Sequence, residues 1–186
     1  MNNKFAGVFS ALVTPFTADD KIDLRAFSEH VAQQKVDGIN GIVIAGSTGE
    51  SPCVSLSERK ILIDVVKEHG LTVIAGAGSN CTKDAVLANQ AMAEAGADAT
   101  LQVVPFYNKP TQRGLFEHFS AIAKNSSVPV IIYNVPGRTG IDLHPDTLVN
   151  LLNTHENIIG IKDANTDMER MCSLIHKAKS ARPDFL

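Results

Sequence analysis

An α/β fold of the (β/α)8-barrel type, carrying about six of its eight βα units, is what this sequence predicts. Three observations lead there: six short apolar runs rich in Val and Ile, helical patterns between them, and polar residues after almost every run. The runs are mostly continuous rather than alternating, as expected of parallel strands covered on both faces.

Gly7 to Leu12 opens the series. The longer apolar stretch Phe5 to Val13 after Lys4 could pass for a short signal peptide, but Gly7 and Ser10 break it. It ends at Thr14-Pro15, the kind of stop that closes a buried strand, and no small-residue cleavage site follows. A helical pattern then runs from Leu24 to Val36, and the second strand is Gly41 to Ala45. Ser57 to Glu68 is the next helix, followed by the strand Thr72 to Ala75. Thr82 to Ala95 opens on a hydroxyl residue, closes before Gly96, and leads to the strand Ala99 to Val104. Gly114 to Lys124, Val128 to Tyr133, Pro145 to Leu152, Ile158 to Ile161 and Asp167 to Lys179 continue the alternation. Arg182 to Leu186 reads as a loop entering a seventh strand.

Strand centres near Phe9, Val43, Ile74, Leu101, Ile131 and Ile159 recur with a period of about 30 residues. A doubly wound sheet can be complete with six strands, so length alone favours it. The polar residues argue otherwise, because a doubly wound sheet gathers its site at one switch point. Here Thr14, Gly46 to Glu50, Gly76 to Asn80, Tyr107, Tyr133 and Lys162 follow successive strands, as around one barrel mouth. The expectation is a single partial barrel domain over residues 1–186, with the seventh and eighth units absent.

Composition narrows the function. The 186 residues are 44% hydrophobic and 20% charged, which suits a globular core and excludes disorder, collagen and coiled coil. Lys+Arg total 17 against 20 Asp+Glu, with no long run of one sign, so neither nucleic acid nor an anionic membrane is an expected partner. No apolar stretch approaches the ~20 residues of a membrane span. Cys53, Cys81 and Cys172 lie far apart, fitting neither a disulfide framework nor a zinc site, and predict a reducing, cytoplasmic setting with thiols that are buried or half-buried. The six histidines lack the spacing of a helical metal pair and read as surface or packing residues, so no metal is expected.

Lys162 closes the apolar run Ile158-Ile159-Gly160-Ile161, beside low-dielectric surroundings that would disfavour its charge. A neutral amine there can attack a ketone, and the resulting protonated imine withdraws electrons from the adjacent carbon. Tyr133 ends the neighbouring strand, which would bring its hydroxyl near that amine as a proton shuttle. Gly46-Ser47-Thr48-Gly49-Glu50-Ser51 lets backbone N–H groups converge on an anion, with two hydroxyls at hand, and lacks the Gly-Lys-Ser/Thr ending of a Walker loop. The loop Asn134 to Gly140 carries one arginine, Arg138, whose planar fork suits a carboxylate. Tyr107-Asn108-Lys109-Pro110-Thr111 adds a second phenol.

Four strings in this order, Gly46 to Ser51, Tyr107 to Thr111, Tyr133 to Gly140 and Gly160-Ile161-Lys162-Asp163-Ala164, resemble the dihydrodipicolinate synthase family, and the resemblance runs from Phe5 to Leu186. It implies a TIM barrel of the class I aldolase type and a lyase that condenses pyruvate with L-aspartate 4-semialdehyde to give 4-hydroxy-tetrahydrodipicolinate, in lysine and diaminopimelate biosynthesis. By the family's pattern Lys162 forms the Schiff base, and Thr48, Tyr133 and Tyr107 form a proton relay. Ser47, Thr48 and Gly49 hold the pyruvate carboxylate, and Arg138 holds that of the semialdehyde. The phenol matching Tyr107 comes from a neighbouring subunit, so a homo-oligomer, dimer or tetramer, is implied, with no cofactor. N-acetylneuraminate lyase-type aldolases share the lysine and the Gly-x-Thr-Gly-Glu loop but differ at the arginine loop. A non-catalytic, truncated remnant is the alternative from another class.

Overall fold

The structure is a computed structural model that describes residues 4–186, so the first three residues of the expected 1–186 domain lie outside the described residues. Its elements alternate as the periodicity predicts: β1 (Phe9–Ala11), α1 (Leu24–Val36), β2 (Gly41–Ile44), α2 (Leu56–Glu68), β3 (Thr72–Gly76), α3 (Thr82–Glu94), β4 (Ala99–Val103), α4 (Gln112–Lys124), β5 (Val130–Asn134), α5 (Pro136–Thr139), α6 (Pro145–Thr154), β6 (Ile158–Asp163) and α7 (Met168–Ala181). Two additions interrupt predicted loops. A 3-10 turn spans Ser51–Cys53, and α5 falls within the predicted loop Asn134 to Gly140. Pro136 presets the first helical φ of α5, and Gly140 closes it in the left-handed region at φ 73.

The chain forms two compact units. The first comprises the chain up to Gly76 together with Ala91–Thr100. Its strands β1, β2 and β3 are parallel, with Phe9 opposite Gly41 and Gly41 opposite Thr72. Ile42, Ile44 and Val73 are buried on the strands, as are Phe27 and Val31 on α1 and Leu62, Ile63 and Val66 on α2. Local chemistry sets the helix ends. Asp23 accepts the Ala26 N–H at the start of α1, and Ser55 with Glu58 forms a reciprocal capping box that starts α2 one residue before the predicted Ser57. The entry to β4 is held to β3 by Asp98, whose N–H donates to Val73 O and whose nearly buried carboxylate takes the Val73 N–H and the ammonium groups of Lys4 and Lys67. Burial alone would raise the Asp98 pKa, but the hydrogen bonds from Lys4, Val73 and Lys67 hold it below the usual value.

The second unit comprises Ala77–Gln90 and Leu101–Leu186. Here β5 and β6 run parallel, with a register shift between Val130 and Ile131 that sets Tyr133 opposite Lys162. The core gathers Leu115, Phe119 and Ile122 from α4, Ile132 from β5, Leu148 and Leu151 from α6, and Leu174 from α7. Arg182 donates to the carbonyls of Leu152, His155, Glu156 and Ile158, satisfying acceptors left at the end of α6 and the start of β6. Leu186 then pairs with β6, donating to Ile159 O and accepting from Ile161 N, as expected of a chain entering a further parallel strand.

The cysteines correct the sequence reading. Cys53, Cys81 and Cys172 are all exposed, because they fall on the 3-10 turn, in the lead-in to α3 and on the solvent side of α7. Two histidines are packing residues: His155 Nε2 lies 2.8 Å from Ser120 Oγ, and His118 Nδ1 lies 2.9 Å from Thr82 Oγ1. His118 Nε2 is buried without a partner, and burial lowers the pKa of this ring to about 4. The unfolded chain binds that proton from about pH 6.5 downward, so the contribution of His118 to stability is complete above 6.5 and is lost as pH falls through 4. Urea unfolding of the chain between pH 7 and 4 is expected to show a loss of up to about 3 kcal/mol from this group, and His118→Phe is expected to flatten that slope.

Candidate active site

The second unit carries an amine and a phenol on adjacent strand ends. Side chains directly opposite in a parallel pair point to the same face, so the register that sets Tyr133 against Lys162 brings the two together. Lys162 Nζ lies 4.5 Å from the centroid of the Tyr133 ring. Tyr133 is buried, and its hydroxyl makes no hydrogen bond among the described residues. The geometry differs from the expectation in one respect, since the ammonium sits over the ring face rather than beside the hydroxyl. Lys162 is also exposed instead of flanked by low-dielectric surroundings. It lies one residue before the end of β6, on the part of the strand that reaches solvent.

Behind this pair lies a polar cluster that the sequence reading missed. Successive strand residues face opposite sides, so Asn134 and Asp163 turn away from the face that carries Tyr133 and Lys162. The fully buried Asn134 donates to Asp142 Oδ1 (2.7 Å) and Asp163 Oδ1 (3.0 Å) and accepts the Leu143 N–H (3.0 Å). Arg170 of α7 closes the cluster: Nε donates to Asp142 Oδ2 (2.8 Å), Nη1 to Asp163 Oδ2 (2.6 Å) and Nη2 to Leu143 O (2.6 Å). Burial would lower the guanidinium pKa, but hydrogen bonds and charge from Asp163 and Asp142 raise it. The signal available in the sequence was Asp163 beside Lys162 and an arginine seven residues on, although the partner Asp142 lies far away along the chain.

The other predicted residues of this unit stand free. Arg138 is exposed on α5, and its guanidinium forms no hydrogen bond or ion pair among the described residues. Tyr107 is 90% exposed and held at φ 71, a left-handed conformation costly for a residue with a side chain. Its loop is tied underneath, where Asn108 N–H and Asn80 Nδ2 donate to Phe106 O and Asn108 Nδ2 donates to Asn80 O. The phenol is therefore presented outward.

In the first unit the loop after β2 carries Ser47 and Thr48 exposed. The Ser47, Thr48 and Gly49 N–H groups make no hydrogen bond among the described residues, which leaves donors for an anion. Gly49 is the anchor. Its carbonyl accepts from buried Thr14 Oγ1 at 2.8 Å, and a Cβ there would sit 2.9 Å from Leu12 O. Glu50 follows in the left-handed region at φ 53, turning the chain into the Ser51–Cys53 turn. Arg59 fixes that turn from below, donating to Ser51 O, Ser51 Oγ, Val54 O and Gly76 O. Burial lowers the pKa of this guanidinium, which meets carbonyls and a hydroxyl rather than a carboxylate.

A family model described as the dihydrodipicolinate synthetase family matches residues 4–185. The chain is 47% identical over 170 residues to 4-hydroxy-tetrahydrodipicolinate synthase of Agrobacterium fabrum, a match covering 90% of this chain and 58% of the relative. A synthase of the same name from Aliarcobacter butzleri is 44% identical over 184 residues, covering 97% of this chain and 61% of the relative. The solved dihydrodipicolinate synthase of Acinetobacter baumannii complexed with pyruvate gives a TM-score of 0.89 at 42% identity, over 94% of this chain and 61% of that one. A solved structure described as the first monomeric dihydrodipicolinate synthase variant gives 0.94 at 36% identity, over 99% of this chain and 62% of that one. The chain thus spans 58 to 62% of the length of these relatives. The likeness shows the predicted fold class, with six βα units of the (β/α)8-barrel type.

Gly49→Ala is expected to destabilise the chain by about 1–3 kcal/mol, because the added methyl meets backbone that cannot swing aside. Urea unfolding at pH 7 measures it.

Proposed function

The chain belongs to the dihydrodipicolinate synthetase family, and from that premise we propose that it forms a Schiff base between Lys162 and pyruvate and condenses the derived enamine with L-aspartate 4-semialdehyde. The observation that carries this reading is the Lys162 amine held over the Tyr133 ring at two adjoining strand ends. The neutral amine adds to the ketone, and the carbinolamine loses water as Tyr133 returns a proton to the departing hydroxyl. The protonated imine draws electrons from the former methyl group of pyruvate, which loses a proton to give the enamine. That carbon attacks the aldehyde, and the semialdehyde's own amine then replaces Lys162 to release 4-hydroxy-tetrahydrodipicolinate. The imine itself is the electron sink, so the reaction needs no metal or organic cofactor.

The free N–H groups at Ser47, Thr48 and Gly49 support a role for this loop in holding the pyruvate carboxylate, with the Thr48 hydroxyl in the proton relay. Arg138, exposed and unpaired, is proposed for the semialdehyde carboxylate. Tyr107 points away from its own chain at 90% exposure, which suits a relay completed in a second copy and hence a homo-oligomer. Three exposed, unpaired thiols suit a cytoplasmic setting, and among the described residues no helix is long and apolar enough to cross a membrane.

One observation favours a second reading. Lys162 is exposed rather than enclosed in an apolar pocket, which suits a protein that keeps the constellation without its reactivity. Incubation with pyruvate and borohydride, followed by intact-mass spectrometry, separates the two. A reduced pyruvate adduct that disappears in Lys162→Ala is expected, whereas an unmodified, folded chain would establish the non-catalytic reading. Tyr133→Phe is expected to slow adduct formation by about 10²-fold or more, read from the same assay over time.

A further inference from the structure

The loop after β2, with its free N–H groups at Ser47, Thr48 and Gly49, is flanked by two residues in the left-handed region, Ala45 at φ 47 and Glu50 at φ 53. Such conformations are costly outside glycine and persist only where the surroundings fix them. Arg59, buried on α2, reaches both ends of the loop. Its Nη2 donates to Ser51 O (2.7 Å) and Ser51 Oγ (3.1 Å), beside Glu50. Its Nη1 donates to Gly76 O (3.0 Å), and Gly76 packs against Ala45 so tightly that a Cβ there would lie 2.0 Å from the Ala45 carbonyl oxygen. Nε completes the grip on Val54 O (3.0 Å). The Ser51 N–H in turn donates to Gly46 O and the Glu50 N–H to Ser47 O, closing the loop on itself.

Resting on the reading of this loop as the carboxylate site, we propose that Arg59 is a positioning residue for it. One guanidinium braces both strained ends of loop 46–50 and holds the Ser47, Thr48 and Gly49 N–H groups in place before an anion arrives. Donors that are already ordered lose less freedom on binding, so the brace raises affinity without touching the ligand. Helix α2 gives it a firm base, since Leu62, Ile63 and Val66 fix that helix in the core. The grip, rather than the charge, is what positions the loop. A lysine here keeps the charge but has a single donor centre, which does not span Ser51, Val54 and Gly76 together.

Pyruvate titration followed by the amide resonances of isotope-labelled chain tests this, with Lys162→Ala as the background so that no imine forms. The Ser47, Thr48 and Gly49 amides are expected to shift and saturate. Adding Arg59→Met is expected to weaken the affinity about 10-fold or more, and Arg59→Lys about 3-fold or more. Ile63→Val, a small cavity on the same helix that leaves the brace intact, is expected to lower stability in urea with the affinity unchanged, which separates positioning from stability. Borohydride trapping with Lys162 present gives a second readout. In Arg59→Met the preference for pyruvate over acetone, which lacks the carboxylate, falls by the same factor, whereas loss of structure lowers both rates alike. Unchanged affinity in folded Arg59→Met or Arg59→Lys overturns the proposal. If neither folds, Ser51→Ala decides: it removes one of the two Ser51 acceptors and is expected to weaken binding about 2- to 5-fold, and unchanged affinity overturns the proposal. Pyruvate that shifts no loop amide overturns both the proposal and the carboxylate reading of the loop; shifted loop amides in a chain that forms no adduct overturn the Schiff-base reading alone.

Discussion

The candidate chemistry depends on the register of one parallel strand pair. Two side chains on adjoining strands lie abreast only while the ladder between them keeps its alignment, and a slip of one residue would turn one of them to the other face. Between β5 and β6 the alignment is held at the carboxyl ends, where a guanidinium, a buried amide and two carboxylates bind one another and the backbone at Leu143. The arrangement is stable because nearly every donor in it has an acceptor, the condition under which buried charge is tolerated. The side chains of Tyr133 and Lys162 occupy the opposite face of the same strand ends, without hydrogen bonds among the described residues and available for chemistry.

The first unit solves a similar problem with different groups. Parallel strands end in loops whose carbonyls and N–H groups have no neighbouring strand to pair with, and the buried ones need partners. Arg59 satisfies the carbonyls of Ser51, Val54 and Gly76, Thr14 satisfies that of Gly49, and Asp98 takes the Val73 N–H. What these residues leave unsatisfied is the run of N–H groups at Ser47, Thr48 and Gly49, which is where a bound anion would find donors. In both units a well-satisfied polar layer underlies a deliberately unsatisfied one.

Much of this was legible in the sequence. Each predicted strand and helix appears, α1 with its predicted bounds and the others shifted by one or a few residues, because continuous apolar runs and helical periodicity are local properties. The proximity of Tyr133 and Lys162 was also legible, since both close apolar runs that had to be neighbours in a parallel series. The short helix α5 was not, because Pro136 and Gly140 are turn residues and helix-boundary residues alike. The exposed thiols were missed because composition says how buried cysteine usually is, not which side of α7 carries Cys172.

The sequence by itself determined the alternation of strands and helices, the barrel class, the family resemblance and the identity of the residues at the strand ends. Those follow from neighbours along the chain, whose geometry is set by backbone sterics and periodicity. Only the tertiary structure decided that Asp142, Asp163 and Arg170 share one cluster, that His118 is buried with one nitrogen unpartnered, and that Lys162 lies over the Tyr133 ring while open to solvent. Those are facts of packing: which distant charges meet, and how much water reaches them, depends on how elements far apart in sequence come together, and local pattern carries no record of it.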